Sequence, residues 1–295
     1  MRAVALVVII AGACGGDAAR GGRTTTLRPA CAVGERWDAG RCEARGGEAD
    51  LAAADAAIAA IEIDDARAAL DRAAARPLAH ASYLHLWEQR AATEAAVDAA
   101  AEAQAAYARL LDADPAHAID CELGGKLYRP FQAARAAARA HAAPALELRW
   151  RRDLRLGEPV PIEVETIADP AAMMHGLTVY VRARGEPDWR AADVELPAPG
   201  TVAKLMLPGI RGQAPTALEL FAIASDERGN EVHLWASADR PREVPLRYDP
   251  PTPWYRTWWV WAAVGGVVAV GTGVGVYAAV WQPSDTLDAP ISGAR

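Results

Sequence analysis

ALELFAIASDERGNEVHLWA, residues 217–236, carries alternating side chains on both sides of a polar stretch that holds Asp226, Gly229 and Asn230. A period of two is the signature of a strand, and Asp, Gly and Asn supply the backbone freedom of a tight reversal, so the segment predicts a β-hairpin. Outward from it, LELRW, PIEVETI, LTVYVRA, ADVEL and VAKLML precede the hairpin and REVPLRY follows it. These runs are rich in Val, Ile, Leu and Tyr, are separated by Gly, Pro and Asp, and extend over about 105 residues, the size and rhythm of an antiparallel β-sandwich. The sandwich is expected over 144–249.

The hairpin is similar to the last hairpin of immunoglobulin-like and fibronectin-type modules, which implies an immunoglobulin-like sandwich. N-terminal to Ala145 the period becomes helical. Leu51, Ile58 and Ile61 fall on one face, Asp64 and Asp65 suit a helix N-terminus as caps, and Pro77 ends or restarts the pattern. From Leu78 to Asp112 no Gly or Pro intervenes, so the chain forms either one helix of about 50 Å or two helices folded back near Asp98. Trp87, Ala91, Ala103, Tyr107 and Pro115 resemble the large and small positions of a tetratricopeptide repeat, which implies folding back. Glu94 stands where that repeat usually has tyrosine, and one repeat earlier the matching positions are Ala53, Ala57 and Ala69, a degenerate copy. A repeat-like helical domain is expected over 48–143, as two hairpins and a helix from Pro130 to Ala142.

The termini suggest membrane attachment. Trp258 to Val280 is 23 residues without a charge, and a helix of that length spans about 34 Å against a hydrocarbon core of about 30 Å. Trp254, Tyr255, Trp258, Trp259 and Trp261 lie on one side and Tyr277 and Trp281 on the other, where amphipathic rings favour the headgroup level. A transmembrane helix is therefore expected over 258–281, after a proline and aromatic stalk at 250–257 and before a cytoplasmic tail at 282–295. Gly271 and Gly275 form a small-residue ridge suited to a helix–helix dimer. At the other end, Met1 and Arg2 precede the apolar run AVALVVIIAGA and Cys14, a short secretory signal over 1–13. Cys14 resembles the acylated cysteine of a bacterial lipobox, implying lipidation there, although Ala11 replaces the usual leucine and Ala11-Gly12-Ala13 also suits ordinary cleavage.

Residues 14–47 read as a tether with a small loop, because Cys31 and Cys42 enclose CAVGERWDAGRC in a segment that follows a secretory signal. Those two cysteines are expected to form a disulfide. With no second pair or nearby histidine they cannot complete a zinc site, and Cys121 reads as a small buried residue.

The net charge of −7 comes with no basic stripe, which argues against nucleic acid. His80 and His85, five apart, cannot share a metal on one helix face, and His117, His141, His175 and His233 stand alone. Among known motifs there is no GxSxG, Walker loop or zinc signature. No catalytic, cofactor or metal residue is assigned, and the chain does not read as an enzyme. The order of signal, cysteine, disulfide loop, repeat-like helices, sandwich, WYRTWWVW collar and Gly/Val span resembles envelope proteins of myxobacteria. The signal at 1–13 sends the chain across the membrane and the span stops it, so a single-pass inner-membrane protein with its bulk in the periplasm is expected. The expected function is a membrane-anchored scaffold for protein–protein interaction, with envelope proteins and membrane lipid as partners and the helices as the recognition surface. The alternative is a glycan-binding module using Trp150, Trp189 and Trp235 as a stacking platform.

Overall fold

The computed structural model describes residues 25–250 apart from 33, 121, 123, 141 and 213, and, beyond these, 253, 256, 258, 259, 261 and 262. Residues 1–248 and 249–295 form two separate units.

In the first unit the edge strand β1 (Arg28–Pro29) and the hairpin β2 (Glu35–Asp38) and β3 (Arg41–Ala44) precede five helices. These are α1 (Gly47–Ala59), α2 (Ile63–Ala74), α3 (His80–Ala96), α4 (Ala100–Ala113) and α5 (Gly125–Ala138). The strands β4 (Ala145–Trp150), β5 (Val160–Ala168), β6 (Gly176–Ala183) and β7 (Arg190–Glu195) follow. The chain continues through β8 (Val202–Leu207), β9 (Thr216–Ser225), β10 (Glu231–Trp235) and β11 (Arg242–Leu246).

Two antiparallel sheets face each other. One runs β1-β7-β6-β9-β10, with β11 also on β9, and the other runs β4-β5-β8. The ten residues of β9 are long enough for two partners on one edge: β10 pairs with 222–225 and β11 with 216–220. Alternation then fixes the faces. Val179 and Val181 of β6, Leu218 and Leu220 of β9, Ile162 and Val164 of β5 and Leu205 and Leu207 of β8 are buried in one core. Tyr180 and Phe221, on the opposite face of the larger sheet, stack at 4.5 Å.

The helices turn where the backbone allows it. Glu62 N–H reaches Ala57 O and Ile61 N–H reaches Ile58 O, while Ala99 N–H reaches Glu94 O and Asp98 N–H reaches Ala95 O. Both are Schellman closures, with Ile61 (φ 63°) and Asp98 (φ 58°) in the left-handed position. Asp98 is an ordinary occupant of that region, whereas Ile61 is β-branched and strained there. Helices α3 and α4 thus form a hairpin with Ala91, Ala103 and Tyr107 buried between them. Asp64 and Asp65 lie in the first turn of α2 without a capping hydrogen bond. The last helix begins at Gly125, five residues before Pro130, which is accommodated inside it.

Three expectations are corrected. The protein is not a helical domain followed by a separate immunoglobulin-like sandwich: Leu51, Leu70, Leu78, Tyr83 and Leu86 from the helical region and Val164, Leu177, Leu220 and Val232 from the sheets belong to one core. Second, the 14–47 segment is not a free tether throughout. Strand β1 pairs with the edge of β7, Arg28 makes two hydrogen bonds to Asp193 at 2.6 and 3.0 Å, and Thr25 N–H reaches Met206 O at 2.8 Å. The hairpin that follows reverses at Ala39 and Gly40, both with positive φ, as a two-residue turn requires, and Cys31 and Cys42 are joined by a disulfide.

Third, among the described residues no helix is long and apolar enough to cross a membrane. This finding corrects the transmembrane helix expected at 258–281, and with it the single-pass inner-membrane location; within that run, 260 and 263–281 lie outside the described residues. The physical reason is length and polarity: α3, with 17 residues, covers about 26 Å, short of a hydrocarbon core of about 30 Å, and carries His80, His85, Glu88, Arg90 and Glu94. In the second unit, Arg256 N–H donates to Pro253 O at 2.8 Å, and Trp258, Trp259 and Trp261 are exposed. Gly271 and Gly275, the signal at 1–13, Cys14, Cys121, His141 and the tail lie outside the described residues.

Candidate functional site

A buried arginine joins the three parts of the first unit and thereby sets the surface above it. Arg45, just after the disulfide hairpin, is 8% exposed. Its guanidinium donates to Leu78 O at 3.1 Å, Gly229 O at 3.2 Å and Glu35 O at 3.3 Å, and pairs with Glu231. Glu231 also accepts from His80 N–H at 3.0 Å. Beside it, Asn230 is buried, accepts from Leu78 N–H at 2.9 Å and donates to Asp226 at 2.8 Å, while Arg228 donates to Ala74 O at 2.9 Å. The β9–β10 turn is therefore inserted between α2 and α3, and its polar residues satisfy the backbone groups that the chain exposes at Pro77.

With the turn fixed, α2, α3 and α4 enclose a groove of about 560 Å³. Asp71 and Ala74 form one wall, Glu102, Ala105 and Arg109 the other, and Trp87 and Ala106 the floor, with Arg228 at one end. It continues past Trp87 into a recess of about 250 Å³ bordered by Tyr83, Met173, His175, Glu227 and Asn230. The Trp87 indole packs edge-on against Tyr83 with centroids 6.0 Å apart, and its Nε1 is buried with no acceptor at hydrogen-bonding geometry among the described residues. Burial holds the Tyr83 hydroxyl above its ordinary range, an effect that the neighbouring indole partly offsets.

The walls are charged but largely paired. Arg90 meets Asp71 at 2.7 Å, and Arg67 holds the buried Glu94 through two contacts, one of them 3.2 Å. The position where a tetratricopeptide repeat has tyrosine is here a carboxylate locked to the preceding helix. His175 and Glu227 are 3.1 Å apart and both exposed. Glu102 and Arg109, two turns apart on α4, leave one charge of each sign on the groove wall.

The other candidate residues do not converge on a reactive centre. His80 is bound to Glu231 O and His85 to Asp55, each at 2.9 Å. His233 is held below its ordinary range by burial and then by His80, against the opposing effect of Asp169. Cys31, Glu35 and Cys42 are the one metal-like cluster among the described residues, and their thiols are spent in the disulfide. The three tryptophans of the glycan platform are split. Trp150 and Trp235 pack edge-on at 6.3 Å against the core, while Trp189 stands edge-on to Phe221 on the outer face of the larger sheet with Arg182 4.3 Å above it.

Sequence reasoning named Trp87 as a repeat position but missed its place on a groove floor. It missed Arg45 altogether, because the only local signal, an arginine before two glycines, says nothing of a carboxylate 186 residues away.

No protein-family model matches the chain, and no curated protein is similar to it. Among solved structures, a cohesin module from a Clostridium perfringens ATCC13124 family 33 glycoside hydrolase is similar over 36% of this chain and 98% of that one, at 13% identity and a TM-score of 0.23. A likeness at that score assigns neither fold nor function.

Proposed function

We propose that this protein is an interaction module that holds an extended segment of a partner protein in the groove above Trp87. The observation that supports it is the groove itself: an aromatic floor, small Ala74 and Ala105 walls that leave room for a chain, and charges of both signs at Glu102 and Arg109, neither in an ion pair among the described residues. A backbone laid along it would find donors and acceptors in the adjoining polar recess, where Tyr83, His175 and Asn230 converge. Rigid support from Arg45 and Asn230 keeps the ordering cost of binding on the partner rather than on the groove.

The test uses a displayed library of random decapeptides selected on the purified protein. Ala105 is exposed on the groove wall, so Ala105→Trp fills the groove without entering the core. Selected peptides are expected to lose at least tenfold in affinity on that variant, with its thermal midpoint unchanged. Peptides that bind Ala105→Trp as tightly as the parent protein, or a selection that yields none, overturn the proposal.

A further inference from the structure

A second concave surface differs in kind from the groove. Between α4, α5 and the segments at 142–144 and 170–171 lies a cleft of about 500 Å³. Alanines, prolines and Leu111 form most of its lining, among them Pro115, Ala134, Ala138, Pro144 and Pro170. The size is that of a small-molecule site, and such a site is ordinarily apolar with few polar groups to orient the ligand. Here those groups are Arg135, in the last turn of α5, and Arg139, its C-cap, four residues apart and still in helical conformation, hence on one face. Neither makes an ion pair with a described residue; Arg135 lies 5.8 Å from the Phe131 ring. Asp112 is the one carboxylate of the lining and is itself engaged in an interaction, so the rim carries an excess of positive charge.

The C-terminal end of α5 attracts cations, which accounts for two arginines there without any ligand. It does not account for an apolar cleft beneath them. The lining also tells against a peptide. Pro115, Pro144 and Pro170 have no N–H, and the alanine and leucine side chains offer nothing to a backbone, so a bound peptide would bury its own polar groups unpaired. A hydrocarbon chain has no such groups.

We propose that this cleft binds an aliphatic carboxylate, its chain against Leu111, Ala138 and the prolines and its head on Arg135 and Arg139. Two guanidinium groups on one side match the two oxygens of a carboxylate. This site is independent of the Trp87 groove.

Calorimetric titration of the purified full chain with octanoate, decanoate and decanol tests it. Decanoate should bind more tightly than octanoate by about fourfold per added methylene and more tightly than decanol by at least tenfold. Arg135→Gln combined with Arg139→Gln should weaken decanoate at least tenfold and leave decanol unchanged. Ala138→Trp should abolish binding of both, with the thermal midpoint of each variant checking the fold. The proposal is overturned if decanoate does not bind at millimolar concentration, if decanol binds as tightly, or if Ala138→Trp binds like the parent.

Discussion

Replacing Arg45 by methionine keeps most of the apolar stem and removes the guanidinium that ties the disulfide hairpin, the α2–α3 connection and β10 together. The side chains of Arg45 and Glu231 are 7% and 15% exposed, so the loss leaves a nearly buried carboxylate without its counter-charge. Breaking a buried pair in this way costs about 3–5 kcal/mol. The stranded carbonyls of Leu78 and Gly229 would each cost about 1–3 kcal/mol alone, but they share the same donor group, so these figures do not add. In a unit of this size roughly 2–4 °C of thermal midpoint accompanies each kcal/mol, which gives a fall of about 10 °C. Denaturant unfolding of Arg45→Met, Glu231→Gln and the double variant measures it as a cycle. Glu231→Gln alone keeps an acceptor for His80 N–H and should cost less, and the pair should show a coupling of at least about 1 kcal/mol. A loss below about 1 kcal/mol for Arg45→Met, or additive single effects, would refute the argument that this arginine holds the joint.

Two further outcomes are expected. Ile61 is 81% exposed at φ 63°, so Ile61→Gly removes strain of about 1–2 kcal/mol without losing buried area, offset by about 0.5–1 kcal/mol of backbone entropy. The variant should be more stable by roughly 0.5–1 kcal/mol in urea, and a less stable protein would show that Ile61 has a contact worth more than its strain. The depressed pKa of His233 means that the unfolded chain takes up a proton that the folded protein does not, so stability conferred by the neutral ring is present above about pH 6.5 and declines as pH falls below it. Urea midpoints for the parent protein and His233→Gln should therefore converge or cross between pH 7 and pH 5.5, and parallel curves would count against a buried neutral histidine.

Much of the local structure was legible in the chain because its causes are local. The alternation in 217–236 requires a strand on each side of Asp226–Asn230, Gly40 supplies the freedom that the β2–β3 turn needs, and Asp98 tolerates the left-handed backbone that ends α3. What the tertiary structure alone decided are pairings between groups far apart in sequence: Arg45 with Glu231, Leu78 with Asn230, and Glu94 with Arg67. No periodicity announces such pairs, because each residue in isolation looks like an ordinary surface charge or turn residue. They turn two expected domains into one core and leave Trp87 at the bottom of a groove. Hydropathy measures how a run of side chains partitions, whereas a span also needs a helix of sufficient length; among the described residues no helix is both long and apolar enough, and 260 and 263–281 of the apolar run lie outside them.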